Sequence, residues 1–151
     1  MNTTARYIQP DAFTQKVFNP TVRFLARHGV SIRGSRELRV VGRKSGEIRT
    51  TAVNLLHLGD RDYLVAPRGT TEWVRNVRAA DGRLELRVGR RTEAYRAIEL
   101  DDAAKAPVIR AYLEQWAWEV GKFFEGLTKD ATDAEITAVA PGFPVFALER
   151  V

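Results

Sequence analysis

The sequence predicts a mainly β domain with helices, an α+β chain built on a closed or split antiparallel barrel of about six short strands. Three observations carry this. Short apolar or alternating segments recur from Leu38 to Glu149. Most are joined by turns too short for the helical crossover that a parallel pairing needs. Helical periodicity is confined to the two ends and one connection, which fits layers of helix on a small sheet. The 151 residues fit one domain, 1–151, large enough to bury a core unaided.

Each element has its own signal. From Asp11 to His28, Phe13, Val17, Phe18, Val22, Phe24 and Leu25 recur at near-helical spacing, so a helical segment is expected over about 10–28. Pro20 should kink or split it, and Gly29 can stop it. Leu38, Val40 and Val41 read as a short strand, and Gly42 to Gly46 as a tight turn. Thr51 to Leu58 reads as one longer strand with Thr51, Val53, Leu55 and His57 on one face. Gly59-Asp60 turns the chain into a strand from Tyr63 to Ala66. Pro67-Arg68-Gly69 ends that strand. Thr70 or Thr71 can then cap a helix running from Glu72 to about Ala79, with Glu72 in its positive first turn.

Leu84, Leu86 and Val88 alternate with Arg83, Glu85 and Arg87 as a half-buried strand. Gly89-Arg90 returns it as a further strand ending near Leu100. Asp101 or Asp102 is expected to cap a helix whose apolar face holds Val108, Ile109, Tyr112, Leu113, Trp116 and Val120. A short helix from Thr132 to Ala138 and a last strand from Pro144 to Glu149 complete the chain.

Composition narrows the chemistry. The absence of cysteine excludes disulfides, thiolate metal sites and cysteine nucleophiles. His28 and His57 are the only histidines, and no H-E-x-x-H pattern occurs. There is no G-x-S-x-G elbow and no G-x-G-x-x-G fingerprint. No stretch is long and apolar enough to span a membrane, and Met1 to Gln9 lack the apolar centre of a secretory signal. A cytoplasmic protein is therefore expected, with peripheral membrane contact left open through the N-terminal helix. The net charge of +5 is carried by an excess of arginine, whose planar fork suits phosphate and carboxylate. Nucleic acid is not the expected partner, because Arg83, Glu85 and Arg87 mix signs without interleaved aromatics.

Two constellations remain. Gly42-Arg43-Lys44-Ser45-Gly46, backed by Arg49, places glycines at both ends of a basic turn. Its backbone N–H groups can form an anion nest. Alone, it reads more readily as a solvated basic hairpin. It is not a nucleotide P-loop, since it lies between two strands and its glycine spacing is wrong. The second is Ala66-Pro67-Arg68-Gly69 followed by Thr70 to Asn76, a loop entering a helix whose free N–H groups suit an oxygen-rich edge. Trp73 and Asn76 share one helix face. An ordinary capped helix with a core tryptophan explains it equally well. Trp116, Trp118, Phe123 and Phe124 read first as helix core, and otherwise as a wall over an apolar pocket.

Read together, the order strand, G-R-K-S-G, R-T-T strand, V-A-P-R-G and E-W-x-x-N, from about Leu38 to Asn76, resembles the deazaflavin-dependent nitroreductase family. That resemblance implies an FMN-binding split-barrel-like fold, bound coenzyme F420 and an oxidoreductase. The reduced cofactor would give a hydride to a quinone, enone or nitro compound. The resemblance further implies that Arg43, Lys44 and Ser45 contact the cofactor's phosphate and oligoglutamate tail. It places Arg49, Thr50, Thr51, Ala52 and Val53 along the same groove. Val65, Ala66, Pro67 and Arg68 would edge the ring, and Glu72, Trp73, Val74, Arg75 and Asn76 would close its other side. No catalytic acid is carried over; Tyr63 and Tyr112 are the hydroxyls to consider. FMN is the alternative cofactor, a non-catalytic carrier the alternative function, and a monomer or homodimer the expected assembly.

Overall fold

A computed structural model describes residues 34–120 and 130–151. The expected N-terminal helical segment over 10–28 lies outside the described residues. So do Phe123 and Phe124, and the side chain of Trp118. Among the described residues, no helix is long and apolar enough to cross a membrane.

Among the described residues there are seven strands rather than about six. They are β1 (Ser35–Val41), β2 (Ile48–Asn54), β3 (Leu56–Leu58), β4 (Arg61–Val65), β5 (Arg83–Val88), β6 (Arg91–Glu99) and β7 (Val145–Arg150). The helices are α1 (Glu72–Ala79), α2 (Ala106–Val120) and α3 (Asp133–Val139). The strands form one sheet in the order β2-β1-β5-β6-β7-β4-β3, and every pair is antiparallel. The two edge strands, β2 and β3, are neighbours in sequence with Leu55 alone between them. A sheet whose edges are one residue apart must curl, and it forms an antiparallel half-barrel consistent with a split barrel.

This geometry corrects the reading of Thr51 to Leu58 as one strand. The segment crosses the seam. Residues up to Asn54 pair with β1, and residues from Leu56 pair with β4. Leu55 turns its side chain into the core, and its N–H bonds the Gly34 carbonyl at 2.8 Å. Leu55 is thus buried while His57, expected on the same face, is exposed and pairs with Asp62.

Alternation along the strands sorts the apolar residues into two cores. Leu38, Val40, Leu64, Leu84, Leu86, Phe146 and Leu148 line the barrel interior, where Val74 and Val77 of α1 join them. Leu56, Val65 and Val145 point the other way, toward Ile109, Tyr112, Leu113 and Trp116 of α2 and Ile136 of α3. Helix α2 breaks its regular backbone at Trp116 (φ −129°, ψ 16°).

The short helix expected from Thr132 to Ala138 runs from Asp133, and Thr132 caps it in a reciprocal box with Glu135, a device that satisfies two helix-end donors. Asp101 and Asp102 do not cap α2. Asp102 instead opens a 3-10 turn (Asp102–Ala104) and pairs with the buried Lys105 at 2.8 Å. Lys105 also donates to the Ala140 carbonyl at 3.1 Å. Thr71 stands at the N-cap of α1, but its side chain makes no capping bond.

Candidate functional site

The β1–β2 hairpin and the first turns of α1 face each other across a cavity of about 440 Å³. That lies in the ~300–1,000 Å³ range of small-molecule sites. Its floor is apolar, made by Leu38 and Val40 of β1. From sequence these two read only as strand residues. Their alternation with Arg39 is the signal that could have placed them on the inner face. One wall is the hairpin, with Gly42, Arg43, Lys44, Ser45, Arg49, Thr50 and Thr51. The opposite wall is Arg68, Thr71, Glu72, Trp73 and Asn76.

The hairpin takes its shape from its own hydrogen bonds. The Gly42 N–H bonds the Glu47 carbonyl at 2.7 Å, and the Gly46 N–H bonds the Gly42 carbonyl at 2.8 Å. The Glu47 N–H reaches the Ser45 hydroxyl oxygen at 3.2 Å. Gly46 has φ +75°, a left-handed position that favours glycine. Gly42 is favoured for a different reason. A Cβ there would stand 2.9 Å from Ser45 Oγ and 3.1 Å from Arg49 Cγ. Its close neighbours belong to the hairpin itself.

The expected nest of free N–H groups is therefore largely spent. The amides of Gly42, Gly46 and Glu47 bond within the turn, and that of Arg43 bonds Asn76 Oδ1 at 3.1 Å. The hairpin also offers an anion side-chain charge, chiefly from Lys44 and Arg49, with the Ser45 hydroxyl.

Arg43 has another task. Its Nη1 donates to Asn76 Oδ1 at 2.8 Å and meets Glu72 Oε2 at 2.6 Å. These contacts tie the hairpin to α1 across 33 residues of sequence. The hydrogen bond from Arg43 holds the Glu72 carboxyl below the usual carboxylate range, reinforced by the charges of Arg43, Lys44 and Arg75. Asn76 is buried and its Oδ1 is engaged by Arg43. What it can offer a ligand is its amide NH₂. Trp73 packs its ring on Phe146 of the barrel core, with centroids 5.8 Å apart, and presents another edge to the cavity. Thr71 Oγ1 is buried beside the cavity without a hydrogen-bond partner.

Not every expected residue reaches the cavity. Arg43, Lys44, Ser45, Arg49, Thr50, Thr51, Arg68, Glu72, Trp73 and Asn76 line it. Ala52, Val53, Val65, Ala66, Pro67, Val74 and Arg75 do not. Ala66 and Val74 belong to the barrel core, with Val53 packed against it. Val65 faces the α2 side, and Arg75 points to solvent. Tyr63 and Tyr112 also pack on the α2 side and line no part of the cavity. The Tyr112 hydroxyl accepts from Asn54 Nδ2 at 3.4 Å.

The cavity suits a phosphorylated ring compound: an apolar floor, a tryptophan edge, amide and hydroxyl groups, and cations at the mouth. Solved structures share the fold. An F420-H2 dependent reductase aligns with 19% identity and a TM-score of 0.53, covering 78% of this chain and 95% of that one. A chain solved as a domain-swapped dimer aligns with 21% identity and a TM-score of 0.54, over 80% of this chain and 83% of its own. A heme storage protein from Vibrio cholerae aligns with 11% identity and a TM-score of 0.54, over 79% and 82%. No curated protein sequence matches the chain. The family model of F420H(2)-dependent quinone reductase matches residues 17–123, most of the chain, and the protein belongs to that family of F420-dependent reductases.

Proposed function

We propose that the protein reduces an electron-poor small molecule, a quinone, enone or nitro compound, with F420 held in the cavity between the β1–β2 hairpin and α1. The observation that carries this reading is the division of that cavity into an apolar floor and a cationic mouth. An aromatic ring system belongs on the Leu38–Val40 floor beside Trp73, with the Asn76 amide and the first N–H groups of α1 along its polar edge. Lys44 and Arg49 belong at the anionic phosphate and tail, with the Ser45 hydroxyl as a donor. Arg43 acts one step back, fixing the hairpin against α1.

When bound in reduced form, the cofactor supplies a hydride, and the accompanying proton comes from solvent or a hydroxyl. The chain's own part is to orient the two reactants, exclude water and hold charge at the mouth. Quinone is the first acceptor to test, given the family; the fold neighbours themselves say nothing about acceptor.

The test is to titrate purified protein with oxidised and reduced F420, FMN and haem. Oxidation of the reduced deazaflavin is then followed across quinones, enones and nitroaromatics. Tight F420 binding with steady turnover on at least one acceptor class is the expected result. Absence of F420 binding at high protein concentration refutes the reading. Binding without turnover on any acceptor turns it into the alternative, a carrier that holds the cofactor.

A further inference from the structure

We propose that Glu72 is a specificity-determining residue. It is a carboxylate set into the cationic wall of the cavity that occupies Arg43 and limits how much negative charge the site accepts.

Arg43, Lys44, Arg49 and Glu72 all line the same cavity. The Arg43 guanidinium already has its Nη1 engaged, meeting Glu72 Oε2 at 2.6 Å and donating to Asn76 Oδ1 at 2.8 Å. The pair sits at the cavity surface, with the Glu72 side chain 63% exposed. A ligand anion near Lys44 and Arg49 therefore feels the carboxylate with little protein between them. The wall's net charge is one unit less positive than its basic turn advertises, because Glu72 offsets Arg43.

The position does not need a carboxylate to hold the fold. Asn76 alone already accepts two hydrogen bonds from Arg43, and a neutral glutamine could accept the third. What the charge adds is repulsion, which grows with each negative charge a ligand brings to the wall. The site should favour a phosphate with a short or outward-running acidic tail over a tail folded back along α1. The identity of the ligand rests on the cofactor reading above; the sign of the charge effect does not.

The test compares wild type with Glu72→Gln by calorimetric titration at low ionic strength. One probe series is inorganic phosphate, pyrophosphate and tripolyphosphate. The other is F420 with few and with many glutamates. The variant-to-wild-type affinity ratio should rise along both series, by up to about fivefold for each added charge that reaches within ~4 Å of the wall. A Lys44→Gln, Arg49→Gln double change should flatten the rise. A ratio near one for all probes, or one that does not grow with charge, overturns the proposal. So does failure of every anion to bind Glu72→Gln. A rising polyphosphate series with no F420 binding keeps the charge filter and rejects the cofactor. F420 binding with a flat series does the reverse.

Discussion

Replacing Asn76 with alanine tests whether the site is held together by the Arg43 clamp. The Asn76 Oδ1 accepts from the Arg43 backbone N–H at 3.1 Å and from Nη1 at 2.8 Å. Truncation removes this one acceptor, breaks both bonds and leaves two donors in a partly buried place. A neutral hydrogen bond contributes about 1 kcal/mol and one to a charged group about 1.5–3 kcal/mol. The guanidinium keeps Glu72 and reaches some solvent, so losing its bond to Asn76 costs less than that range. A loss of about 2 kcal/mol is expected for Asn76→Ala, which is a fall of about 4–8 °C in Tm for a chain of this size. Asn76→Asp is the control, since its carboxylate can accept both bonds and pairs with Arg43. Urea unfolding of the three proteins, followed by tryptophan fluorescence, reads the difference. If Asn76→Ala lies within about 0.5 kcal/mol of wild type, the scatter of an ordinary surface change, the clamp contributes nothing and Arg43 must be reassigned to ligand binding. If Asn76→Asp falls as far as the alanine variant, the amide NH₂ rather than the acceptor oxygen carries the stability.

Three further outcomes follow from the same geometry. Lys44→Gln with Arg49→Gln should weaken F420 binding and make its salt dependence shallower, with little change in unfolding, because these charges face the mouth and not the core; unchanged affinity by fluorescence titration would move the anion site elsewhere. Gly82→Ala should unfold the protein or cost well over ~3 kcal/mol, since its Cβ would stand 2.2 Å from the Ala97 carbonyl oxygen at φ +83°. Gly46→Ala, also left-handed at φ +75° but with open space around it, should cost only about 1–2 kcal/mol, and chemical denaturation separates the two. Glu72 has a carboxyl pKa lowered from 4.5 by its hydrogen bond to Arg43. Its contribution is therefore complete above the unfolded value and is lost as pH falls through the folded one. Glu72→Gln should remove that part of the acid destabilisation below about pH 4.5, as read by Tm against pH.

Local chemistry was legible wherever it acts locally. The hairpin ends at Gly42 and Gly46, the start of α1 at Glu72 and the short helix beginning near Thr132 all depend on residues a few positions apart. The strand break at Leu55 was not legible, because Thr51 to Leu58 is a run that any β pattern would extend. It breaks only because the sheet's two edges meet there, and that is a property of all seven strands. The same holds for Arg43. Sequence shows a basic turn and, separately, an acid suited to a helix start. Only folding brings Glu72 and Asn76 against the guanidinium, so that Arg43 also braces the hairpin against α1. Leu38 and Val40 lay between these cases: their alternation was visible, but which face formed the cavity floor was not.

The brace also explains why the site sits where it does on the barrel. The connection from β4 to β5 must cross the concave face, and α1 does so by burying Val74 and Val77 among the barrel residues. Those two fix the rotation of the helix. With them inward, Asn76 is carried toward the hairpin, while Glu72 and Trp73 project from its first turn. The hairpin cannot close onto α1, because Arg43 fills the gap as a strut with its backbone and guanidinium both bonded to Asn76. The space left beneath the strut is floored by Leu38 and Val40 and bounded by Trp73. The cavity is thus a consequence of packing that exists before any ligand binds. Chemistry can vary at its rim, at Lys44, Ser45, Arg49 and Glu72, at little cost to the fold. Changes at Asn76, Val74 or Val77 must disturb stability and binding together.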